Sequence, residues 1–365
     1  MKKISLYYIM SFMAIIFVSC ATQSVISLPT ETKNLSIDEP QRELKYRFEK
    51  RIPLKLDGED VISGVQKIVY QDGNFYIQDR RQNFILQFDN EGKLKNKLAK
   101  VGSGPGEYIR IKTFDVTDEG LIYILDSHGR KINVYDTNSF DFKFSIPTDF
   151  LPLDLGVIDK DNIFVGQNII GRNKPVKLGK LGRNDAKIKP ILDYKYDDES
   201  ELFNLTTSRF YRSGDNLVYY NRFSDAIYTL DNDSLKQIFT VVSSKLPNQK
   251  QVENLIAKNI KRSVADISKD RHSKNNNDIV WDITNIYFTP SWIYMTPQTH
   301  PLRHLFINRK TNEVVTASAF YNNKFDENFK CCRLGAIGVC EDNFITLQSP
   351  EEEDDDYSLV LFSIE

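Results

Sequence analysis

The chain of 365 residues carries 48 basic and 50 acidic residues, so its formal net charge is only −2. It contains no basic block of the kind that follows a phosphate backbone, which excludes nucleic acid as an expected partner. No motif predicts a cofactor, and the length allows either two ordinary domains or one large β domain.

The N-terminus is organised as an export signal. Lys2 and Lys3 precede an apolar run over residues 4–18, which is too short for a comfortable membrane span. The run is followed directly by Ser19 and Cys20. This end resembles the lipobox of bacterial lipoproteins, in which a small residue precedes a Cys that is acylated and becomes the new N-terminus. The resemblance implies a signal peptide over residues 1–19 and lipid attachment at Cys20.

Two alternatives exist for this end: an ordinary signal peptide cleaved nearby, or a signal-anchor helix. Neither explains a Cys directly after a small residue. Several acyl chains would make the attachment effectively permanent, because each buried CH₂ contributes about 0.8 kcal/mol. We therefore expect the membrane to be a partner through the lipid anchor.

Residues 20–43 are predicted to be the lipidated Cys and a flexible tether, because they are mostly polar, contain Pro29 and Pro40 and show no sustained period. Some surface lipoproteins of Gram-negative bacteria resemble one another in an acidic run after the Cys, which this chain lacks. We therefore expect an outer-membrane lipoprotein that faces the periplasm, in preference to the cell surface.

An internal repeat predicts the fold of residues 44–365. Residues 76–89 recur as residues 123–136, an offset of 47 (123 − 76), and a looser copy covers residues 218–231. In each copy an apolar strand ends at Asp or Asn, a polar turn follows, and a second apolar strand ends at Asp. Together with looser turns near residues 159–162, 289–291 and 341–343, this gives six turn-plus-strand units.

Four short strands per unit at this spacing predict an all-β fold, a six-bladed β-propeller with four-stranded antiparallel blades. A β-sandwich or two small β domains would also contain similar hairpins, but the constant offset argues against them. Residues 44–56 precede the first complete unit and can supply the outer strand of the last blade, which closes the ring.

The link between the first two units carries a family resemblance. Gly106, Glu107 and Tyr108 end a glycine-rich segment, and Lys131 with Ile132 follows the next strand. These residues resemble an NHL-type repeat, and the chain is similar to the NHL-like six-bladed propeller lipoproteins of Gram-negative bacteria. Ile111 and Lys112 stand where such a link usually has Pro. The resemblance implies the fold and no particular activity.

A longer gap separates the fourth and fifth units. Apolar residues over 252–267 recur three or four apart with basic residues between them, which predicts one inserted amphipathic helix between blades four and five. This helix packs on the rim or overhangs the channel.

Five charged residues are placed by the turn register where inner strands enter the channel. Alternating charges around one mouth would suit a polar ligand, although each residue could instead be an ordinary exposed strand end. We predict a binding or scaffolding module for a peptide, protein or glycan. The candidate ligand-binding residues are Arg110, Asp154, Arg209, Asp282 and Arg333.

The alternative function is a metal-dependent lactonase-like or lyase-like propeller enzyme. Such an enzyme needs three or four oxygen ligands converging on the axis, and Asp154 with Asp282 is too small a set. A non-enzymatic role is therefore favoured. No metal site is predicted, since His300 and His304 lie in a proline-rich segment that does not favour the helix this spacing needs.

The remaining motifs receive structural interpretations. Asp79, Asp126 and Asn221 share one repeat position, where we expect capping of their own turns in preference to a carboxylate ring. The glycine-rich residues 102–106 are predicted to be an interblade turn and not a phosphate cradle, and the acidic residues 351–356 a solvated loop.

Three cysteines remain after Cys20. One disulfide is predicted in an oxidising compartment, with Cys340 pairing either Cys332 or Cys331.

Overall fold

The computed structural model describes residues 26–38, 40, 42–56, 61–148, 151–166, 176–195, 209–232, 234–259, 279–299, 302–316, 332, 335–350 and 356–365. The predicted signal peptide and Cys20 lie outside these residues, and so do His300, Cys331 and Arg333. In the described part of the chain, no helix has the length and hydropathy of a membrane span.

Six antiparallel sheets form the blades of a propeller, and three strands precede the first complete blade. The preceding strands are β1 (Lys33–Ser36), β2 (Arg42–Glu43) and β3 (Tyr46–Pro53). Blades one to three contain β4 (Val65–Gln71), β5 (Asn74–Asp79), β6 (Phe84–Asp89) and β7 (Leu94–Leu98); β8 (Thr113–Thr117), β9 (Leu121–Asp126), β10 (Lys131–Asp136) and β11 (Phe142–Pro147); β12 (Asp154–Asp159), β13 (Asn162–Gly166), β14 (Val176–Leu181) and β15 (Ile188–Asp193).

The second half of the ring has the same plan, with one helix between blades four and five. Blades four to six contain β16 (Phe210–Ser213), β17 (Asn216–Tyr220), β18 (Ala226–Asp231) and β19 (Ser234–Val242), then α1 (Gln249–Asn259); β20 (Ile283–Phe288), β21 (Trp292–Pro297), β22 (Leu305–Asn308) and β23 (Val314–Thr316); β24 (Gly338–Cys340), β25 (Asn343–Gln348) and β26 (Ser358–Ile364). The strand β3 pairs with β26 and completes blade six, so the predicted ring closure is confirmed.

The first strand of each blade lies innermost, and each inner strand contacts the inner strands of both neighbours. Tight turns join the first and second strands, and Gly73 and Gly120 adopt the positive φ values of 72° and 74° that such turns favour. We call the side of the ring that holds these turns the hairpin face. The opposite side, the link face, holds the interblade links, such as residues 99–112, and the turns between second and third strands, such as residues 80–83.

The core lies between the blades. Six clusters of buried apolar side chains occur, and each joins the facing sheets of two neighbouring blades. Middle strands such as β5 and β9 are buried on both faces, which explains why their sequences are apolar almost throughout. The repeat is thus a packing unit, because no blade covers its own faces.

The helix α1 confirms the predicted insertion between blades four and five; it covers residues 249–259 of the range predicted from 252 to 267, and residues 260–267 lie outside the described residues. Asn248 caps it: its side-chain oxygen accepts a hydrogen bond from Gln251 N at 3.0 Å, and the Gln251 side chain accepts one from Asn248 N at 2.8 Å. Val252 and Ile256 form its buried side.

The flexible tether predicted over residues 20–43 is wrong for the part that the structure describes, from Ile26 onward, while residues 20–25 lie outside the described residues. The strand β1 pairs in parallel with β19 on blade four, and β2 pairs in parallel with β23 on blade five. Ile26, Leu35 and Ile37 are buried. These strands are too short to show a period in the sequence, and their partners lie about 200 or more residues away (239 − 33 = 206).

Candidate functional site

The inner strands surround a narrow axial channel. Its cavity volume is about 70 Å³, enough for about five waters at roughly 10–15 Å³ each. This volume is too small to hold a peptide or a glycan inside the channel. The lining residues are Gln66, Lys67, Ile68, Val69, Tyr70, Thr113, Phe210, Tyr211, Arg212, Gly214, Thr284, Asn285, Tyr287 and Val339.

A buried ion pair crosses the channel wall from blade two to blade four. Asp115 accepts hydrogen bonds from Arg212 Nε and Nη2, both at 2.9 Å, and one from Val157 N at 2.9 Å. The side chains of Asp115 and Arg212 are 1% and 8% exposed. Burial by itself would raise the pKa of Asp115, but the charges of Arg212 and Lys67 hold that pKa below its ordinary value.

A second buried network joins blades three, four and five. Asp154 accepts hydrogen bonds from the backbone amides of Leu155, Arg209 and Phe210. The guanidinium of Arg209 in turn pairs with Asp282 across 2.7 and 3.3 Å. Burial raises the pKa of Asp154 despite the nearby charge of Lys67, whereas Arg209 has its pKa raised because Asp282 outweighs burial.

The structure thus brings together three of the five predicted site residues. They are buried in the wall of the channel and do not line an open mouth. Asp154, Arg209 and Asp282 are 1%, 2% and 0% exposed. The expectation of an exposed ring of mixed charge is therefore wrong for them, since they bond to one another or to backbone amides. Arg110 is exposed, as expected, and only its backbone amide bonds to Asp126. Arg333 lies outside the described residues.

The link-face mouth carries a basic cluster formed by Arg80, Arg110 and Lys112. Arg80 and Arg110 are exposed and Lys112 is half-buried. Burial lowers the pKa of Lys112, Asp154 opposes this, and the positive charges of Arg80 and Arg110 lower it further. Sequence reasoning found only Arg110. The sequence does contain a signal for this cluster. Basic residues occur in two successive segments of the link face, Arg80–Arg81 in a turn and Arg110–Lys112 in a link.

The hairpin-face mouth carries the opposite charge. Asp72, Asp118 and Asp215 stand in the turns of blades one, two and four, and all three are exposed. Burial raises the pKa of Asp72, a hydrogen bond with Gln71 lowers it, and the carboxylates of Asp118 and Asp215 raise it. The two mouths of the channel therefore carry charges of opposite sign.

The repeated aspartates cap turns, as predicted. Asp79 accepts hydrogen bonds from Arg81 N and Gln82 N of its own turn at 2.8 and 3.0 Å. It also accepts bonds from Ser63 N and Gly64 N, just before the inner strand β4, at 2.6 and 2.9 Å. Asp126 does the same in blade two, with Gly129 N at 2.9 Å and Ile109 N at 2.8 Å.

The glycine-rich link is confirmed as an interblade turn. Glu107 lies inside it and accepts a hydrogen bond from Gly104 N at 2.8 Å. A Cβ at Gly102 would lie 2.1 Å from Glu107 Oε2, so the carboxylate already occupies the space that a phosphate would need.

His304 is buried beside Tyr294, whose hydroxyl lies 2.7 Å from His304 Nδ1. Burial lowers its pKa to about 4, so the imidazole is neutral. Among the described residues, no group of three or more His, Cys, Asp and Glu side chains could hold a metal ion.

The predicted Cys332–Cys340 disulfide is not formed in the structure, since both are free thiols. Burial raises the pKa of the Cys340 thiol to about 12, so it is not activated as a nucleophile. Pairing with Cys331 stays a prediction, because Cys331 lies outside the described residues.

Comparison with known proteins agrees with this architecture. A family model described as a domain of unknown function, DUF4934, matches residues 51–357, and no curated protein sequence matches the chain. A Bacteroides fragilis protein described as exported aligns with a TM-score of 0.72 and 14% identity, over 92% of this chain and 99% of that one. A DUF4221 family member from Bacteroides vulgatus aligns with a TM-score of 0.50 and 11% identity, over 89% and 99%. Likeness at these identities shows the fold alone.

Proposed function

The chain belongs to the DUF4934 family, and we propose that it is an exported lipoprotein, anchored through Cys20, whose link face binds a peptide or protein partner. The anchor would hold it at the outer membrane, facing the periplasm. The lipobox-like end at Cys20 supports the anchor, and the exported character of the Bacteroides fragilis protein is compatible with it.

One observation carries the binding role. The large hydrophobic side chains that are exposed in the described structure all lie on the link face, on interblade links or at the end of an outer strand: Val61, Val101, Ile109 and Val242. Ile109 is next to Arg110 of the basic cluster, so apolar and positive groups share one surface. Apolar surface bordered by polar residues is typical of protein-binding sites, and Val101 and Ile109 lie on the same link as Arg110 and Lys112.

The chemistry of this surface selects the partner. Aliphatic side chains offer contact to apolar side chains, and Arg80, Arg110 and Lys112 offer donors to carboxylates. This combination favours a peptide or protein with acidic and apolar residues over a glycan. The wall residues Asp154, Arg209 and Asp282 hold the mouth in shape and do not contact the partner.

The anchor is tested by Cys20→Ser. The wild-type chain should incorporate a metabolic fatty-acid label and sediment with membranes, while the variant should lose the label and leave the membrane fraction or stay unprocessed. An unlabelled wild-type chain would contradict the proposal.

The binding role is tested with a fluorescent peptide library that mixes acidic and aliphatic residues. Lys112→Gln and Ile109→Ser should each weaken the best binder, Lys112→Gln by about tenfold or more, because a hydrogen bond to a charged group contributes about 1.5 kcal/mol or more. Lys95→Gln, on the exposed outer strand β7, is the matched control and should leave affinity unchanged. Equal loss in the control would mean that binding follows net charge alone.

The enzyme alternative is tested on the same samples. A metal that binds only the folded state raises stability by mass action. A melting temperature that falls with chelator and recovers with calcium would favour the enzyme over the binding module.

A further inference from the structure

The N-terminal segment meets the propeller on the hairpin face. The carbonyl of Ile26 accepts a hydrogen bond at 2.8 Å from the side chain of Asn216, which begins β17 directly after the turn of blade four. The carbonyl of Ser27 accepts one from Arg309, which follows the third strand of blade five. Ile26 itself is 6% exposed. The chain is therefore fixed to this face from its first described residue, and β1 leads from there along the outside of blade four.

This attachment limits where Cys20 can reach. Only six residue steps separate Cys20 from Ile26 (26 − 20), and at most about 3.6 Å per residue allows about 22 Å. A blade of six-residue strands is itself roughly 20 Å tall at about 3.3 Å per residue. An acylated Cys20 can thus reach a bilayer easily only if the rim of blades four and five on the hairpin face is turned toward it.

A groove with a volume of about 470 Å³ lies at this rim, between the N-terminal segment and the turns of blade five. Three basic residues line it, Lys33, Arg309 and Lys310, and no acidic residue does. Lys33 and Lys310 are exposed. The lining residues are Ser27, Leu28, Pro29, Lys33, Phe239, Pro290, Ser291, Asn308, Arg309, Lys310 and Thr311.

Arg309 is the unusual member of this groove. Its Nη1 donates to the carbonyls of Thr289 and Pro290 at 2.9 and 3.1 Å, and its Nη2 to that of Ser27. Burial lowers its pKa. Among the described residues, no carboxylate forms an ion pair with this half-buried cation, which is held by carbonyl dipoles. An anion in the groove would form a charge-assisted hydrogen bond with such a guanidinium.

We propose that the groove binds the phosphates of membrane lipid headgroups, so that the propeller rests on the bilayer by the blade-four and blade-five rim of its hairpin face. The proposal rests on the acylation of Cys20 for its orientation. The carboxylates Asp72, Asp118 and Asp215 around the axis of the same face are repelled by anionic headgroups. Contact is therefore at the basic rim, and the link face with its partner surface points into the periplasm.

The orientation is tested by amine labelling of the wild-type acylated chain, with modified lysines identified by mass spectrometry. The chain is compared in detergent and in vesicles of phosphatidylethanolamine and phosphatidylglycerol. We expect vesicles to slow the labelling of Lys33 and Lys310 severalfold and to leave Lys112 unchanged. Protection of Lys112 with free labelling of Lys33 and Lys310 would overturn the orientation.

The ligand is tested without the anchor, on the full mature chain with Cys20→Ser. Its binding to phosphatidylglycerol-containing vesicles should weaken about fivefold for each of Lys33→Gln and Lys310→Gln, as expected for lysines at a membrane surface. The matched control Lys95→Gln with Lys97→Gln, on blade one, should bind like the parent. Equal loss in the control would overturn the groove as the site.

Inorganic phosphate separates lipid headgroups from a free anion. If millimolar phosphate in detergent protects Lys33 and Lys310 as fully as vesicles do, the site serves a free phosphate and the lipid proposal is wrong. These outcomes are distinct from failure of the anchor, which shows as absence of fatty-acid label on the wild-type chain while groove binding by the Cys20→Ser chain is still measurable.

Discussion

Blades one and two differ from blades three to five in the contacts that fix the start of each inner strand. In the first pair, Asp79 and Asp126 each accept hydrogen bonds from their own turn and from the link that leads into the inner strand of the same blade. In blades three to five, Asp154, Arg209 and Asp282 connect three different blades. Asn221 occupies the aspartate position in blade four, and its backbone carbonyl accepts a hydrogen bond from Ser224 N.

The difference shows two ways of fixing an inner strand at the axis of the propeller. An inner strand must be fixed at the axis, where the strands of neighbouring blades do not form a ladder with each other. A turn carboxylate does this within about 20 residues of chain, so the solution is repeated whenever the sequence repeats. A buried ion pair does it between residues 73 apart (282 − 209), which tolerates a degenerate repeat but depends on both partners.

The largest effect is expected from Asp282→Ala. This change leaves the Arg209 guanidinium buried and unpaired, which should lower the free energy of unfolding by about 3–5 kcal/mol in chemical denaturation. The double variant Arg209→Met with Asp282→Leu should recover most of that loss, because it removes both charges. A cost below about 1 kcal/mol for Asp282→Ala would mean that the network does not fix the inner strands.

The next effect is a pH dependence centred on His304, in blade five. Its folded pKa of about 4 lies below the ordinary value of 6.5. The unfolded chain therefore binds the proton first, and stability should fall as the pH drops from about 6.5 to 4, by about 3 kcal/mol. Asp154 acts in the opposite direction, since its raised pKa contributes stability only at low pH.

Denaturation curves between pH 4 and 7 measure this dependence. His304→Phe should flatten it, because the titrating group is removed, although Tyr294 loses a hydrogen-bond partner and the variant is less stable at pH 7. An unchanged slope in His304→Phe would assign the dependence to other groups.

A third prediction concerns the repeated caps. Asp79→Ala and Asp126→Ala should each cost about 2 kcal/mol, because several partly buried backbone amides of the turn and the link lose their acceptor together. The two costs should agree within about 0.5 kcal/mol, since each carboxylate joins its own turn to the link of the same blade. Asn221→Ala is the matched control at the third copy and should cost less. Unequal costs for the two aspartates would show that the same repeat position contributes differently to the free energy of unfolding in the two blades.

The smallest effect is expected at an exposed ion pair. Arg42 of β2 contacts Glu313 at 2.6 Å, and the two side chains are 33% and 28% exposed. Arg42→Ala should cost less than about 1 kcal/mol, because solvent screens the pair. If it costs as much as Asp282→Ala, burial is not the property that distinguishes the two regions.

Much of the architecture was determined by the sequence itself. The offset of 47 between residues 76–89 and 123–136 identifies the blade as the unit, and β3 closes the ring as expected. The capping role of Asp79 and Asp126 could also be predicted. These features are local: a turn, its carboxylate and two alternating strands lie within one stretch of chain, where period and turn chemistry are visible.

Tertiary structure alone decided which of the predicted site charges are buried and which are exposed. Asp154, Arg209 and Asp282 have the register of mouth residues, and only their packing shows that they are buried in the wall, where Arg209 pairs with Asp282 and Asp154 accepts bonds from backbone amides. The docking of β1 and β2 on blades four and five was equally hidden, because four-residue and two-residue strands have no period and their partners lie about 200 or more residues away. Long-range pairing leaves no spacing in a single sequence, so these contacts become visible only when the ring is closed.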